Sequence, residues 1–169
     1  MMAAVRLDAL GEEHLDATLR WMADEDLRWG LLLDREVTPE LHRGWFSRTK
    51  EDTSQAIFAI VADGAHAGNF GFRHIHRQHR TAELWMYLGA EHRGSGIAKP
   101  ALRAGLDCGF GSLALRKISL LVRADNHRAV SLYTRAGFVE EGFLRAEQIY
   151  RGTAIDMIRM AYFPASTLS

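Results

Sequence analysis

The sequence predicts an α/β fold in which one mixed sheet, of α+β type, is covered by helices. Three observations carry this. Strand-like segments follow one another between Gln55 and Gly89 with only short turns between them; the hydrophobic period then switches to helix, strand, helix; and two last strands close the chain about Arg151-Gly152. The meander implies antiparallel pairing, and the β-α-β unit adds a parallel neighbour. The 169 residues suit one hydrophobic core, and no stretch reads as a linker, repeat or low-complexity tract, so 1–169 reads as a single domain.

Each element has a local cause. Residues 11–23 carry Leu15, Leu19 and Met22 at helical spacing, with Glu12 and Glu13 suited to the first turn. Thr38-Pro39-Glu40 is a helix start, an N-cap followed by Pro at N1, and Leu41 and Trp45 follow on one face. Gln55 to Ala62 is β-prone, Asp63-Gly64 makes the turn, and a second strand runs from about His66 to His76. Thr81 to Gly89 reads as a third strand, Ile97 to Phe110 as a helix, Lys117 to Arg123 as a buried strand and Asn126 to Ala136 as another helix. Gly137 stands where a C′ glycine ends that helix, and the strands Val139–Tyr150 and Thr153–Tyr162 follow.

Composition narrows the function. Lys plus Arg equals Asp plus Glu at 21 each, which argues against nucleic acid or an anionic membrane as partner. Cys108 is the single cysteine, so no intramolecular disulfide forms. The eight histidines include His74, His76 and His79, but no carboxylate or cysteine completes a ligand set, and no metal is expected. The segment Met1 to Arg6 lacks a signal-like apolar run, no stretch reaches transmembrane length, and a cytoplasmic location is expected.

The segment Leu88-Gly89-Ala90-Glu91-His92-Arg93-Gly94-Ser95-Gly96-Ile97-Ala98 lies between a strand and a helix. The first N–H groups of a helix lack intrahelical partners, and glycines let backbone approach a ligand, so this junction suits an anion such as phosphate. Gly89 and Gly94 have Walker-A spacing, but Ser95-Gly96 stands where Lys-[Ser/Thr] is required, which excludes that mode of ATP or GTP binding. A dinucleotide fingerprint from Gly94 fails at Lys99.

Arg93-x-x-Gly96-x-Ala98 resembles the [Arg/Gln]-x-x-Gly-x-[Gly/Ala] pyrophosphate loop of the GNAT superfamily of acetyltransferases. About thirty residues on, Asn126-x-x-Ala129-x-x-Leu132-Tyr133-x-x-x-Gly137-Phe138 is similar to the family's second signature. Ala90 replaces a common proline, and Pro100 sits in the first turn of the following helix. The resemblance, from about Ala56 to Ala161, implies a mixed sheet whose fourth and fifth strands (81–89 and 117–123) splay to admit acetyl-CoA, with 81–138 as its binding core. It implies cofactor contacts from Leu88, Arg93, Gly94, Ser95, Gly96, Ile97, Ala98, Asn126 and Tyr133, and direct transfer of acetyl to a primary amine.

Such transfer needs a neutral nucleophile, a polarised thioester carbonyl and a partner for the leaving thiolate. An alkylammonium has a pKa near ~10, so a base must remove its proton. Glu83 is the candidate, with His74 and His76 as alternatives; a carboxylate paired with an arginine is the competing reading of Glu83. Tyr133 is expected to protonate or hydrogen-bond the sulfur, unless it only packs. Asn126 contacts the CoA arm or simply caps its helix, and a backbone N–H near Leu88 polarises the carbonyl. Cys108 falls in a core helix pattern and reads as packing.

The N-terminal helices, 11–50, are expected to form the acceptor side. Trp21-Met22-Ala23-Asp24-Glu25-Asp26, Thr38 to Phe46 and the ending around Glu141–Arg145 and Asp156–Met160 are similar to one GNAT branch. That branch holds nucleotide-aminosugar, spermidine and ribosomal-protein N-terminal acetyltransferases. Trp21, Trp29 and Trp45 offer stacking, Asp24 and Asp26 offer negative charge, and His76 adds a polar group. The favoured acceptor is a small-molecule amine of the aminosugar type, with a protein N-terminus or polyamine as the alternative. A non-catalytic acyl-CoA sensor is the reading from another class, and a homodimer is left open.

Overall fold

The computed structural model describes residues 4–164; the reading of Met1 to Ala3 lies outside the described residues. Along the chain run β1 (Val5–Ala9), α1 (Leu15–Met22), α2 (Glu25–Leu31), α3 (Pro39–Glu51), β2 (Ala56–Ala62), β3 (Ala65–His76), β4 (Thr81–Leu88), α4 (Ala98–Phe110), β5 (Lys117–Arg123), α5 (His127–Arg135), β6 (Val139–Tyr150) and β7 (Thr153–Tyr162). The expected elements are present, and two are added: α2, and β1, a short strand that pairs antiparallel with β2. The expected helix over 11–23 opens instead with a 3₁₀ turn, Glu12–His14, whose histidine Nδ1 accepts the Gly11 N–H at 2.9 Å.

Caps account for the helix starts. Thr38 accepts the Leu41 N–H at 3.3 Å, Asp24 accepts the Asp26 N–H at 3.0 Å, and Asn126 accepts the Ala129 N–H at 3.1 Å. The acidic run after Trp21 is thus the beginning of α2, where negative charge suits the helix N-terminus.

The sheet has seven strands in the order β1-β2-β3-β4-β5-β7-β6. All neighbours are antiparallel except β4 and β5, which pair in parallel only over Thr81–Glu83 and Lys117–Ser119. Beyond that register the two strands diverge and leave a gap at their C-terminal ends. The sheet is therefore mixed, with its fourth and fifth strands splayed.

Period-2 alternation sends the two sets of β4 side chains to opposite faces. Ala82 and Leu84 join a core with Phe70, Phe72, Ile118 and Leu120 under α4. Gly105 makes that packing feasible: a methyl group there would stand 2.1 Å from the Phe70 ring. Trp85 and Tyr87 point the other way, into a second cluster with Trp21, Met22 and Leu27 under α1 and α2. The gap between β4 and β5 thus lies between two helical layers, one from the N-terminal segment and one from the centre of the chain.

Candidate active site

The turn between β4 and α4 holds Gly94 at φ 77° and Gly96 at φ 84°, conformations that favour glycine. The N–H groups of Gly94, Ser95, Gly96, Ile97 and Ala98 donate to no backbone carbonyl among the described residues. A Cβ on Gly96 would meet nothing within 4 Å, so the backbone here is open to approach. Pro100 removes only an N–H that α4 could not use, since the first helical bond runs from Ala101 to Ile97 O at 3.0 Å. These donors suit a pyrophosphate at the start of α4. Ile97 is buried in the core, and Arg93 forms an ion pair with Asp24 that ties the loop to α2. Arg128 of α5, which the motif comparison passed over, reaches within 4.0 Å of where a Gly94 Cβ would sit and adds positive charge.

The opened gap lies one turn of chain away. Successive strand N–H groups point to opposite edges, and the Gly89 N–H is taken by Ala67 O of β3 at 2.9 Å. The Leu88 N–H therefore faces the β5 side, where no strand pairs with it. Tyr133 of α5 belongs to the core under α4, buried at 8% exposure and edge-on to Phe138. Its hydroxyl has no hydrogen-bond partner among the described residues, and burial pushes the phenol pKa up to about 12. Transfer of that proton to a thiolate of pKa ~8.5 would be uphill by about 5 kcal/mol. Donation of a hydrogen bond, with the proton retained, is the chemistry this environment favours. Asn126 uses Oδ1 as the cap of α5 and leaves its amide N–H groups available.

On the N-terminal side of the sheet lies a cavity of about 380 Å³, of small-ligand size. Its floor includes Trp85, Tyr87, Leu121 and Met157 from β4, β5 and β7. Its opposite wall includes Thr18, Leu31, His42, Trp45 and Arg48 from the helices and Arg35 from the α2–α3 connection. Tyr87 accepts a hydrogen bond from Asn69 Nδ2 at 2.8 Å, and the same amide donates to Thr18 Oγ1 at 3.0 Å. Both amide protons are thus used, Asn69 Oδ1 faces His66 Nε2 at 2.8 Å, and the Tyr87 hydroxyl keeps its own proton to donate. His42 stacks on Trp45 with ring centroids 5.4 Å apart. It is 5% exposed, its Nε2 has no partner, and desolvation lowers its pKa, so the imidazole is neutral.

The expected site residues divide. Trp45 lines the cavity. Trp21 does not: it is 3% exposed, packs on His66 and donates Nε1–H to Glu91 at 3.0 Å. Trp29 is also away from the wall, stacked on Arg123 at 3.8 Å and against Tyr150. Asp24 is engaged by Arg93 and its cap, and Asp26 is exposed on α2; neither lines the cavity. His74 and His76 are exposed beyond a register shift in β3, His76 stacking on His79, and neither joins the wall. Glu83 is 12% exposed and accepts from Arg73 Nε at 2.7 Å. Arg73 itself lines the cavity. The cross-strand register Arg73↔Glu83 makes that pair, and no sequence spacing announces it.

His42, Arg35, Arg48 and Tyr87 are among the wall residues that the sequence did not announce. The only signal was the three-residue spacing of His42 and Trp45, which sets both on one face of α3.

Comparison with known proteins agrees with this architecture. Residues 5–139 match the family described as Acetyltransferase (GNAT) domain. The chain is 32% identical over 159 residues to spermidine N(1)-acetyltransferase of Escherichia coli K12, covering 86% of this chain and 84% of that one. A putative ribosomal N-acetyltransferase of Bacillus subtilis is 25% identical over 99 residues, 59% of this chain and 54% of its own. Among solved structures, spermidine N-acetyltransferase from Vibrio cholerae in complex with CoA and spermine superposes with a TM-score of 0.91. That match has 26% identity and covers 98% of both chains.

Proposed function

The chain belongs to the GNAT acetyltransferase family, and we propose that it acetylates the primary amine of a small molecule seated in the cavity beneath α1, α2 and α3. It is an acetyl-CoA-dependent N-acetyltransferase. The observation that carries the acceptor reading is the meeting of two features at the β4–β5 gap: a glycine loop with free N–H donors beyond one end of the sheet, and a small-ligand cavity on the N-terminal face.

Acetyl-CoA supplies the acyl group as a thioester. The N–H groups of Gly94 to Ala98, with Arg128 nearby, would hold its pyrophosphate, and the free amide N–H groups of Asn126 would serve its arm. The Leu88 N–H faces the gap, where it can donate to a carbonyl oxygen as negative charge grows there. The Tyr133 hydroxyl, without a partner among the described residues, would donate a hydrogen bond to the sulfur. Glu83, held by Arg73 beside the cavity, takes the proton of the acceptor ammonium directly or through water. His42 is a second base, favoured by its neutral, unpartnered ring in the wall.

The relatives shift weight from the amino sugar expected from sequence towards a polyamine. Their similarity spans most of both chains, and the Vibrio structure contains spermine. The charge of the cavity wall opposes a polycation, however. Thiol release from acetyl-CoA over a panel of amines tests the proposal. Amine-dependent turnover that Tyr133→Phe reduces is expected; release that no amine stimulates would leave only an acyl-CoA binder.

A further inference from the structure

The cavity wall contains Arg35, Arg48 and Arg73 and no aspartate or glutamate among the described residues. Arg73 is balanced by Glu83. Arg35, in the α2–α3 connection, and Arg48, in the last turns of α3, have no carboxylate within 4.0 Å among the described residues. His42 is neutral. Two guanidinium groups on this side of the wall are therefore without a direct ion pair among the described residues.

Four acidic groups of the N-terminal segment are engaged away from the wall, while Glu36, next to Arg35, lines an adjoining pocket with Asp34 and Arg35. Asp24 goes to Arg93, Glu25 and Asp34 to Arg151, and Asp52 caps its own turn through Ser54 and Gln55. A polyamine carries a positive charge at every nitrogen near neutral pH, so it gains nothing here and is repelled by Arg35 and Arg48. A molecule with an anion at one end is attracted, because guanidinium forks match phosphate and carboxylate oxygens. The remaining polar groups suit such a ligand's neutral middle: Gln55, Gln148 and the Tyr87 hydroxyl, beside the Trp45 and Trp85 rings.

We propose that the acceptor is an amine whose molecule also carries a phosphate or a carboxylate, and that Arg35 and Arg48 hold this anion while the amine faces the β4–β5 gap. The inference rests on the function proposed above and narrows it to a substrate class. It departs from the polyamine substrates named for the relatives, and its cause is this chain's own wall chemistry.

The test uses one amine scaffold in three charge states. Glucosamine, glucosamine 6-phosphate and muramic acid, with spermidine as the polycation, are titrated calorimetrically into the CoA-loaded protein and assayed for thiol release. The phosphate or carboxylate form is expected to bind about tenfold or more tightly than glucosamine, and which of the two leads identifies the anion. Arg35→Glu with Arg48→Glu should abolish that preference and improve spermidine binding, while affinity for CoA alone is unchanged. Anionic forms that bind no better than glucosamine, or spermidine binding best to the unaltered protein, would overturn the inference and leave acetyl transfer standing. Anion-selective binding without thiol release from any amine would instead uphold the anion site and defeat the proposed function.

Discussion

Gly96 offers a substitution whose two effects can be separated. Its φ of 84° strains any side chain, while a Cβ there meets no neighbour, so the cost to the fold is conformational rather than steric. An L-residue in this region costs roughly 1–2 kcal/mol, and aspartate tolerates it better than alanine. Gly96→Ala should therefore lower the melting midpoint by about 2–8 °C, and Gly96→Asp by no more than that. Charge acts differently. Placed about 6 Å from the two negative charges of a pyrophosphate, an aspartate repels it by ~1.4 kcal/mol at a water-like dielectric and ~5.5 kcal/mol at an effective value of 20. The geometric middle of that range, about 2.8 kcal/mol, is about a hundredfold in Kd. Calorimetric titration of CoA into both variants, with melting curves beside it, reads the two effects independently. Gly96→Asp should lose roughly a hundredfold while Gly96→Ala loses less than about tenfold. Equal losses in the two variants would assign the effect to backbone strain, and wild-type affinity in Gly96→Asp would refute the phosphate role of the loop.

Tyr133→Phe should reduce kcat by roughly ten- to a thousandfold with little change in KM for acetyl-CoA, since the hydroxyl acts as charge develops on sulfur. Because burial raises that phenol, no pH–rate limb below about pH 10 should belong to it. Glu83→Gln and His42→Gln distinguish the bases: the true base loses the acidic limb of the profile, and a limb that survives both points to water. Asn69→Leu leaves Tyr87, Thr18 and His66 without their shared partner and should destabilise by about 2–4 kcal/mol, seen as a drop of roughly 4–16 °C in the melting midpoint. For acid stability the sign is fixed by His42 and His66, both held below the ordinary 6.5 by burial. The unfolded chain takes up protons first, so their contribution is complete above about pH 6.5 and is lost as pH falls through the folded values. Melting midpoints from pH 8 to 5 should fall for the natural chain and fall less steeply for His42→Gln.

The chain order of elements was legible because it depends on local chemistry. Thr38-Pro39 caps and starts α3, Asn126 starts α5, Gly137 ends it, and strand alternation places Trp85 and Tyr87 on the face opposite Leu84. The glycine loop was legible for the same reason. Free N–H groups at a strand–helix junction and glycines at positive φ are properties of a short contiguous segment. Two elements were missed locally, β1 and α2, for five and seven residues carry too little periodic signal against neighbouring turns.

The cavity on the N-terminal face was decided by tertiary structure. Trp21, Trp29 and Trp45 are alike in sequence context, yet Trp21 is in the core, Trp29 stacks on Arg123 and Trp45 lines the cavity. Asp24 looked like a free charge until the fold set Arg93 beside it, some seventy residues on. Glu83 met Arg73 through strand register, and Arg35, His42 and Arg48 converged with Arg73 only when α3 docked on the sheet. The physical reason is range. Helix starts, strand alternation and loop donors are set by residues within a turn or two of one another. The charge of a cavity is a sum over side chains from distant segments, and only the folded chain brings them within reach.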